Sequence, residues 1–346
     1  MTGTLQRLLN PFLGERISRS IFSDSNITGN EAAGETQLQK DVEEPTAPVG
    51  GLSFAFRFMS RDRAALISMG IIALFLVWAV VEGMMQWLAS FTRHPAYAWL
   101  LLPSNPTTYN PLYQLAPPNI HSLNLILGAT YDGQSILSSI LYAAPHDAEA
   151  AFVVVASAII IGMLVGMPAG YFGGWTDEIL MRLTDAFLAF PYLILAITLS
   201  LLIGSGFSTV LVVLVIIWWP TYARYFRAQA IALKSRTFVE AAKLSRVGSW
   251  KIMFRHLLPN SVDPIIAQAT LDLGTVILTY SALAFIGVGL QVNEPEWGAM
   301  ASLGLGYLQT NPLWSLAPGF VILIIVVAFS LIGDRLQDLI AGRMMY

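Results

Sequence analysis

Six apolar runs, each close to the length of a helix that crosses the roughly 30 Å of bilayer hydrocarbon, dominate this chain. They fall at 64–87, 148–172, 186–203, 207–222, 265–290 and 313–333. Of the 346 residues, 55% are hydrophobic and only 12% are charged, whereas soluble domains carry about a quarter charged residues. Because so few charged side chains cannot cover a soluble globule, the sequence predicts an all-α polytopic membrane protein with six transmembrane helices.

The basic residues indicate how the chain is inserted. Of the 19 Lys and Arg residues, all but Arg93 fall in the N-terminal tail, the loop after the second run, the 223–260 segment and the C-terminal end. Loops rich in Lys and Arg stay in the cytoplasm. The sequence therefore predicts a multi-pass protein of the plasma or inner membrane with both termini in the cytoplasm.

The stretches between the runs suggest how the chain is organised. Residues 1–63 lack the apolar core of a signal peptide and are predicted to form a partly disordered cytoplasmic tail, followed by the first transmembrane helix at 64–87. Residues 88–147, rich in proline and aromatic residues, are predicted to form an extracytoplasmic loop, either a cap over the bundle or a surface for sugars or a partner. Residues 148–340 hold the other five helices, with a cytoplasmic loop at 223–263.

Several chemistries are excluded by what the sequence lacks. It contains no cysteine, no G-x-x-x-x-G-K-[ST] phosphate loop, no H-E-x-x-H zinc helix and no G-x-S-x-G elbow, and its four histidines are scattered. The formal net charge of -3 gives no support to a nucleic-acid partner. The chain is therefore predicted not to be an enzyme and to bind no metal, so any energy must come from a partner, an ion gradient or passive flow.

The predicted cytoplasmic loop contains a short helix with unusual features. It begins after Thr237 and carries small residues next to a carboxylate, which allow another protein to approach closely and to pair with the charge. The carboxylate is that of Glu240, the small residues are Ala241 and Ala242, and the helix is predicted to break near Gly248. A second short helix, 250–258, is predicted to stop before Pro259.

The EAA triplet, with the proline of HLLPN nineteen residues after its Glu, resembles the cytoplasmic loop of permease subunits of binding-protein-dependent ABC importers. Three further runs are similar to the dipeptide, oligopeptide and nickel group of these permeases, in its second, C-type subunit. They are GYFGGWTDEILMRLTDAFLAFPYLILAI (170–197), FRHLLPNSVDPIIAQATLDLG (254–274) and ALAFIGVGLQVNEPEWGAM (282–300). The resemblance covers about 124–340.

The resemblance implies a mechanism and a set of partners. A homologous second permease would complete a heterodimeric pathway, two cytoplasmic ATPase subunits would carry the ATP and Mg, and an extracytoplasmic binding protein would deliver the solute to it. The chain itself would bind no cofactor. The residues that the resemblance assigns to ATPase docking, or to the return of the chain to the membrane, are Glu240, Ala241, Ala242, Gly248, Leu258 and Pro259.

The sequence departs from the family pattern at three positions. Arg246 stands where the family usually has a glycine six residues after the Glu, with Gly248 displaced by two. Gln134 stands where an arginine is usual, and Tyr280 stands where the family tends to place a glutamate. The turn after the docking helix and the role of that glutamate are therefore expected to differ here.

Ionisable groups within apolar runs are candidates for function. Asp272 lies eight residues past Pro264, about 12 Å along a helix, and is predicted either to contact a polar solute in the pathway or to make a structural hydrogen bond. Tyr280 is a second candidate pathway residue. Glu82 lies five residues from Trp87, so it is expected to reach towards the membrane interface.

Three glycines at helical spacing mark the second run. Gly162, Gly166 and Gly170 form two overlapping G-x-x-x-G units, which let helices pack closely. We expect them to pack within this chain rather than at a seam with a second permease.

The resemblance implies import of dipeptides or oligopeptides through an ATP-driven pathway. Oligosaccharides are the alternative, because the aromatic 88–147 loop suits sugars, and nickel is disfavoured because the predicted spans contain no histidine. A secondary transporter or channel would need more charged residues in its spans, and an intramembrane hydrolase lacks every motif sought above.

Overall fold

The fold is described by a computed structural model that covers residues 62–204, 206–289 and 294–342. Within these ranges the chain is helical, and its β-type pairing is a single isolated bridge between Ala129 and Ser135. The all-α prediction is confirmed. The predicted 1–63 tail lies outside the described residues except for its last two positions.

Ten α-helices occur in the described ranges, several of them joined by 3₁₀ turns. They are α1 (Arg63–Thr92), α2 (Ile136–Phe172), α3 (Gly174–Leu188), α4 (Tyr192–Ile203), α5 (Phe207–Leu233), α6 (Thr237–Leu244), α7 (Ser249–Ile252), α8 (Leu258–Phe285), α9 (Trp297–Gly304) and α10 (Leu313–Ile340). A π-helical turn, Met253–Leu257, joins α7 to α8 without a break. Three 3₁₀ turns lie between α1 and α2, at Pro95–Trp99, Pro111–Tyr113 and Leu123–Leu125.

Five helical runs are long and apolar enough to cross a membrane: α1, α2, α5, the α7–α8 run and α10. The helices α3 and α4 meet at 86° and add a sixth crossing if the bent pair counts as one span. The span predicted at 186–203 is therefore not a single helix, because it covers the end of α3 and the whole of α4. Its 12-residue α4 is only about 18 Å long and begins after Pro191, whose fixed φ and missing N–H favour a break there.

The second span begins twelve residues earlier than predicted, at Ile136 instead of 148, and the connection from α1 is correspondingly shorter than 88–147. Ser135 caps α2, since its Oγ accepts a hydrogen bond from the amide of Ser138 at 3.3 Å. Pro145 lies inside the helix and packs against Gly83 of α1. The polar residues that follow Pro145 interrupt the apolar run and hid this part of the helix from the sequence.

The centre of the bundle is the contact between α2 and α5. A Cβ added to Gly162, Gly166 or Gly170 would collide with α5, at Tyr222, Ala223 and Arg227 respectively. The three glycines therefore let the two backbones approach closely, and the expected packing within this chain is confirmed.

The helix α8 is held by α9 and α10. Gly298 of α9 lies against the carbonyl of Ser281, where no side chain has room. Next to it the indole N–H of Trp297 donates to the carbonyl of Ile140 in α2 at 2.9 Å. On the other side Gly274 meets Phe329 of α10, so α8 is fixed at both of these faces.

Candidate functional site

The bend between α3 and α4, at 188–192, is called the α3–α4 elbow. A groove with a volume of about 380 Å³ lies between this elbow, α5 and α8. Its size falls within the usual range of small-molecule sites. Its lining includes the aromatic residues Phe187, Phe190, Tyr192 and Trp218 and the polar residues Asp272 and Thr275. The rings of Phe190 and Tyr192 are 60% and 48% exposed, so the groove is open along the α4 side.

Two ion pairs hold the elbow against α5. Arg227 donates through Nε and Nη2 to both carboxylate oxygens of Asp177, at 2.5 and 2.7 Å, and Arg224 donates through Nη2 to Asp185 Oδ1 at 2.6 Å. The two-pronged arginine–carboxylate geometry fixes orientation as well as distance. The two ion pairs therefore hold α3 against α5, and both helices contribute residues to the groove.

Of the residues that the structure describes, Asp272 is the one charged side chain in the lining of this groove. It is only 7% exposed, and its Oδ1 accepts a hydrogen bond from Gln268 Nε2 at 3.1 Å. Trp218 and Tyr222 of α5 stand beside the carboxylate. Both of these residues can donate to the carboxylate, and both are uncharged. The sequence therefore selected a residue that does face a cavity.

Tyr280, the second predicted pathway residue, lies elsewhere. It is eight residues further along α8, about 12 Å away, in a separate cavity of about 20 Å³ that is also lined by His146, Phe207 and Glu296. The rings of Tyr280 and Phe207 are in edge contact at 5.9 Å. The structure does not bring Asp272 and Tyr280 into one site.

Two buried carboxylates near Tyr280 were missed by the sequence, and we call Asp147 and Glu296 the closed carboxylate pair. Asp147 is fully buried and its Oδ1 accepts from Ser281 Oγ at 3.4 Å, while Glu296 is 8% exposed and its Oε2 accepts from the amide of Ala299 at 2.7 Å. The two lie close enough to repel each other. Burial raises the pKa of Glu296 to about 7.

The closed carboxylate pair was missed for reasons that can be identified. The predicted second span began one residue after Asp147, which placed that carboxylate in a loop. Glu296 was noticed only as part of the PEWGAM run and not as a buried group. The usable signal was the helical spacing of apolar residues before Pro145, which extends the span back over Asp147.

Glu82 corrects another expectation. It was expected to reach the membrane interface, yet its side chain is completely buried between α1 and α2. Gln86 Nε2 lies 3.4 Å from Glu82 Oε1 and donates to the carbonyl of Tyr142 at 2.9 Å. Sequence spacing from Trp87 could not show which side of α1 faces α2.

The predicted docking helix is present as α6. Glu240 and Ala241 are exposed, whereas Val239 and Ala242 are buried in the main core. The helix is fastened to the end of α2, because Lys243 Nζ lies 5.7 Å above the ring of Tyr171. The helix α6 therefore has one face anchored in this chain and one face free.

Arg246 lies in the turn that ends α6. Arg246 has a left-handed backbone, with φ 56°, and the amide of Val247 donates to the carbonyl of Ala242 at 3.1 Å. This is the helix-ending turn in which glycine is the usual residue. Gly248 does not replace it, since its φ is −62° and it precedes α7. The helix ends at Leu244, earlier than the break predicted at Gly248.

The predicted second short helix does not stop before Pro259. Leu258 and Pro259 open α8, directly after the π-helical turn Met253–Leu257, and the helical run continues to Phe285. A proline is tolerated in a first turn because its missing N–H is not needed there. Leu258 is half-buried and Pro259 is exposed.

Comparison with known proteins places these features in context. Residues 158–346 match the family described as "Binding-protein-dependent transport system inner membrane component". The dipeptide transport system permease protein DppC of Alkalihalophilus pseudofirmus is 34% identical over 84% of this chain and 89% of its own length. DppC of Haemophilus influenzae is 32% identical over 85% and 94%.

Two further similarities are weaker or shorter. The glutathione transport system permease protein GsiD of Pectobacterium atrosepticum is 37% identical over 61% of this chain and 70% of its own. Among solved structures, a chain of the inward-facing MetNI methionine ABC transporter aligns with 55% of this chain and 93% of its own length. That alignment has 18% identity and a TM-score of 0.42, too distant for conclusions about residues.

Proposed function

Because the chain belongs to the family of binding-protein-dependent transport system inner membrane components, we propose that it is the permease subunit of an ABC importer of small peptides. It is a multi-pass membrane protein and the permease, not the ATPase, of such a transporter. Relatives named for dipeptide and glutathione transport support peptides as the solute. A groove of about 380 Å³ has room for a solute of that size.

The partners follow from the same proposal. A homologous second permease covers the open α4 side of the groove and completes the pathway, and an extracytoplasmic binding protein delivers the peptide. Two ATPase subunits bind ATP and Mg, and this chain binds no cofactor. The exposure of Phe190 and Tyr192, both large apolar rings at the groove edge, supports a protein neighbour there.

The observation that carries the coupling proposal is the two-sided character of α6. Glu240 and Ala241 form the face that contacts the ATPase, while Ala242 anchors the helix in this chain. Gly248 and the turn before α7 bring the chain back, and Leu258 and Pro259 start its return into the membrane. In this proposal α6 and both termini lie in the cytoplasm.

A mechanical route leads from α6 to the groove. Lys234, at the end of α5, donates from Nζ to the carbonyl of Gly170 in α2 at 3.0 Å. On the same helix Arg227 holds Asp177 of α3. When the ATPases move α6, the movement passes through α5 to the α3–α4 elbow, which forms one wall of the groove. The displacement of this wall opens and closes the path around Asp272. Tyr280 lies where the path is shut, in a cavity with room for about one water molecule.

Uptake into proteoliposomes that hold the complete transporter tests this proposal. The binding protein and the solute are added outside the proteoliposomes, and ATP is enclosed in the lumen, which the ATPases face. We expect uptake of a dipeptide panel and none of an oligosaccharide panel. Uptake of oligosaccharides alone would overturn the peptide assignment. Uptake that persists without ATP would instead favour a secondary transporter or channel.

Glu240→Lys tests the coupling face directly. We expect at least a tenfold loss of ATPase subunits that copurify and of peptide uptake, because a cation then faces the basic residue with which Glu240 pairs. Asp132→Lys is the matched control, since Asp132 is an exposed acid in the connection between α1 and α2. Normal copurification and uptake with Glu240→Lys would contradict the assigned role.

A further inference from the structure

The groove contains a charge that nothing in its lining neutralises. Asp272 is 7% exposed, and within the described part of the chain no Lys, Arg or His lines the groove with it. Gln268 Nε2 donates to its Oδ1 at 3.1 Å, and the Tyr222 hydroxyl and the Trp218 indole are donors beside it, so its partners among the described residues are all uncharged. A buried carboxylate is stable only with a proton or a cation close by. The site is therefore incomplete without a positive group or a proton.

The rings around the carboxylate favour an organic cation. Trp218 stands next to Asp272, and Tyr192 is in edge contact with Trp218 at a centroid separation of 6.2 Å. Phe187 and Phe190 continue the aromatic lining. Aromatic faces attract ammonium groups, and tryptophan attracts them most strongly. One carboxylate within an aromatic lining is the combination that binds a substituted ammonium.

A metal ion fits the groove poorly. Divalent ions need several carboxylate, imidazole or carbonyl ligands. Within 62–204, 206–289 and 294–342, no group of three or more His, Asp or Glu side chains is placed to hold one. The volume of about 380 Å³ also suits a molecule of several heavy atoms rather than a bare ion.

We propose that Asp272 binds the α-ammonium group of the transported peptide, with Trp218 and Tyr192 against the cation and the α3–α4 elbow around the first residue. This deepens the proposed function and rests on it, since the solute class supplies the free ammonium. Asp272 thereby acts as a specificity residue of the permease itself, in addition to whatever selection the binding protein makes.

Direct binding tests the proposal without the binding protein. The complete transporter in nanodiscs, with the binding protein omitted, is titrated with labelled dialanine, and unlabelled dialanine or N-acetyl-dialanine is added as competitor. We expect saturable dialanine binding and at least a tenfold weaker competition by the acetylated peptide, which lacks the ammonium. Equal competition by the two peptides, or no saturable binding, would overturn the proposal.

Variants make the same test residue by residue. Asp272→Asn should weaken dialanine binding at least tenfold, and Thr275→Trp, which fills the groove from an exposed position, should abolish it. The matched control is Glu82→Gln, which neutralises a buried carboxylate outside the groove and should bind as the wild type does. Wild-type binding by Asp272→Asn or by Thr275→Trp would contradict the assignment.

The failure of this inference can be told from the failure of the proposed function. If proteoliposomes take up dialanine with ATP while acetylation makes no difference to binding, only the role of Asp272 is wrong. If wild-type proteoliposomes take up no peptide with ATP and binding protein present, the peptide-importer proposal itself is wrong.

Discussion

Two regions of α8 bury carboxylates in opposite ways. Asp272 lines a groove of about 380 Å³ that is open on one side and contains no positive group among the described residues. Two turns further on, Tyr280 lines a cavity of about 20 Å³ together with Glu296, one member of the closed carboxylate pair. In the first region the carboxylate lies in the wall of an open groove. In the second, Trp297 and Gly298 of α9 seal the carboxylates against α8 and α2.

The difference separates a binding surface from a seal. A carboxylate beside open, aromatic space can gain a partner, whereas carboxylates that are packed on all sides can only share protons. Because both regions lie on one helix, a shift of α8 that widens the first acts on the packing of the second. We therefore expect substitutions at the seal to affect stability and substitutions at the groove to affect transport.

The largest effect is expected at the seal. Gly298→Val places a side chain against the carbonyl of Ser281 and should push α9 from α8, with a loss of stability of about 3 kcal/mol. Gly319→Val is the matched control, because nothing lies within 4 Å of a Cβ at Gly319. Thermal unfolding of the purified protein in detergent measures both. A Gly298→Val protein as stable as the control would mean that the region is not sealed.

The next effect should separate transport from stability. Thr275→Trp fills the groove and should lower peptide uptake at least tenfold, with an unfolding midpoint close to that of the wild type. Leu278→Trp is the control, since Leu278 is 49% exposed on α8 and does not line the groove. Full uptake by Thr275→Trp would remove the groove from the solute path.

The pH dependence of stability tests the buried state of Glu296. Its pKa is raised from 4.5 to about 7, so between these values the unfolded chain releases a proton that the folded chain retains. Stability should therefore fall as pH rises from about 4.5 to about 7 and level off above, by about 3 kcal/mol in total.

Glu296→Gln should weaken this dependence, because the amide carries no charge at any pH in the window and only the other buried carboxylates still contribute. Unfolding midpoints at pH 5 and pH 8 make the comparison, with exposed Glu149→Gln as the control. A wild-type protein more stable at pH 8 than at pH 5, with Glu296→Gln unchanged in slope, would show that the carboxylate is not sealed.

The smallest effect is expected at Arg246, which lies outside both regions of α8. Arg246→Gly relieves a left-handed backbone at φ 56° and should stabilise the protein by about 1 kcal/mol. Arg246→Ala keeps a Cβ at that position and should gain nothing, so the pair separates backbone strain from loss of charge. Equal stabilisation by both variants would assign the effect to the charge.

The sequence predicted what depends on long apolar runs and local pattern. The helices α1, α5 and α10 fall where such runs occur, and α6 follows from a short stretch of small residues ended by a turn. It failed where tertiary packing overrides the local pattern. Pro145 is accommodated inside α2 because Gly83 leaves room for its ring, a contact that the sequence of α2 alone does not reveal.

The site shows the same division. Asp272 could be selected because a charge deep within an apolar run is conspicuous. The burial of Glu82 and the existence of the closed carboxylate pair depend on which faces of α1, α2 and α9 meet, and that is set by contacts between distant segments. The left-handed backbone of Arg246 could not be predicted either, because glycine commonly adopts that conformation and arginine rarely does.

The measurement that tests the central claim most directly uses the absence of cysteine from the chain. Thr275→Cys in the groove and Ser281→Cys at the seal are each made in a transporter whose other subunits lack cysteine, and the rate of reaction with a small charged thiol reagent is recorded. We predict that Thr275→Cys reacts, that dialanine slows its reaction, and that Ser281→Cys does not react. Equal reaction at both positions, or no protection by dialanine, would contradict the account.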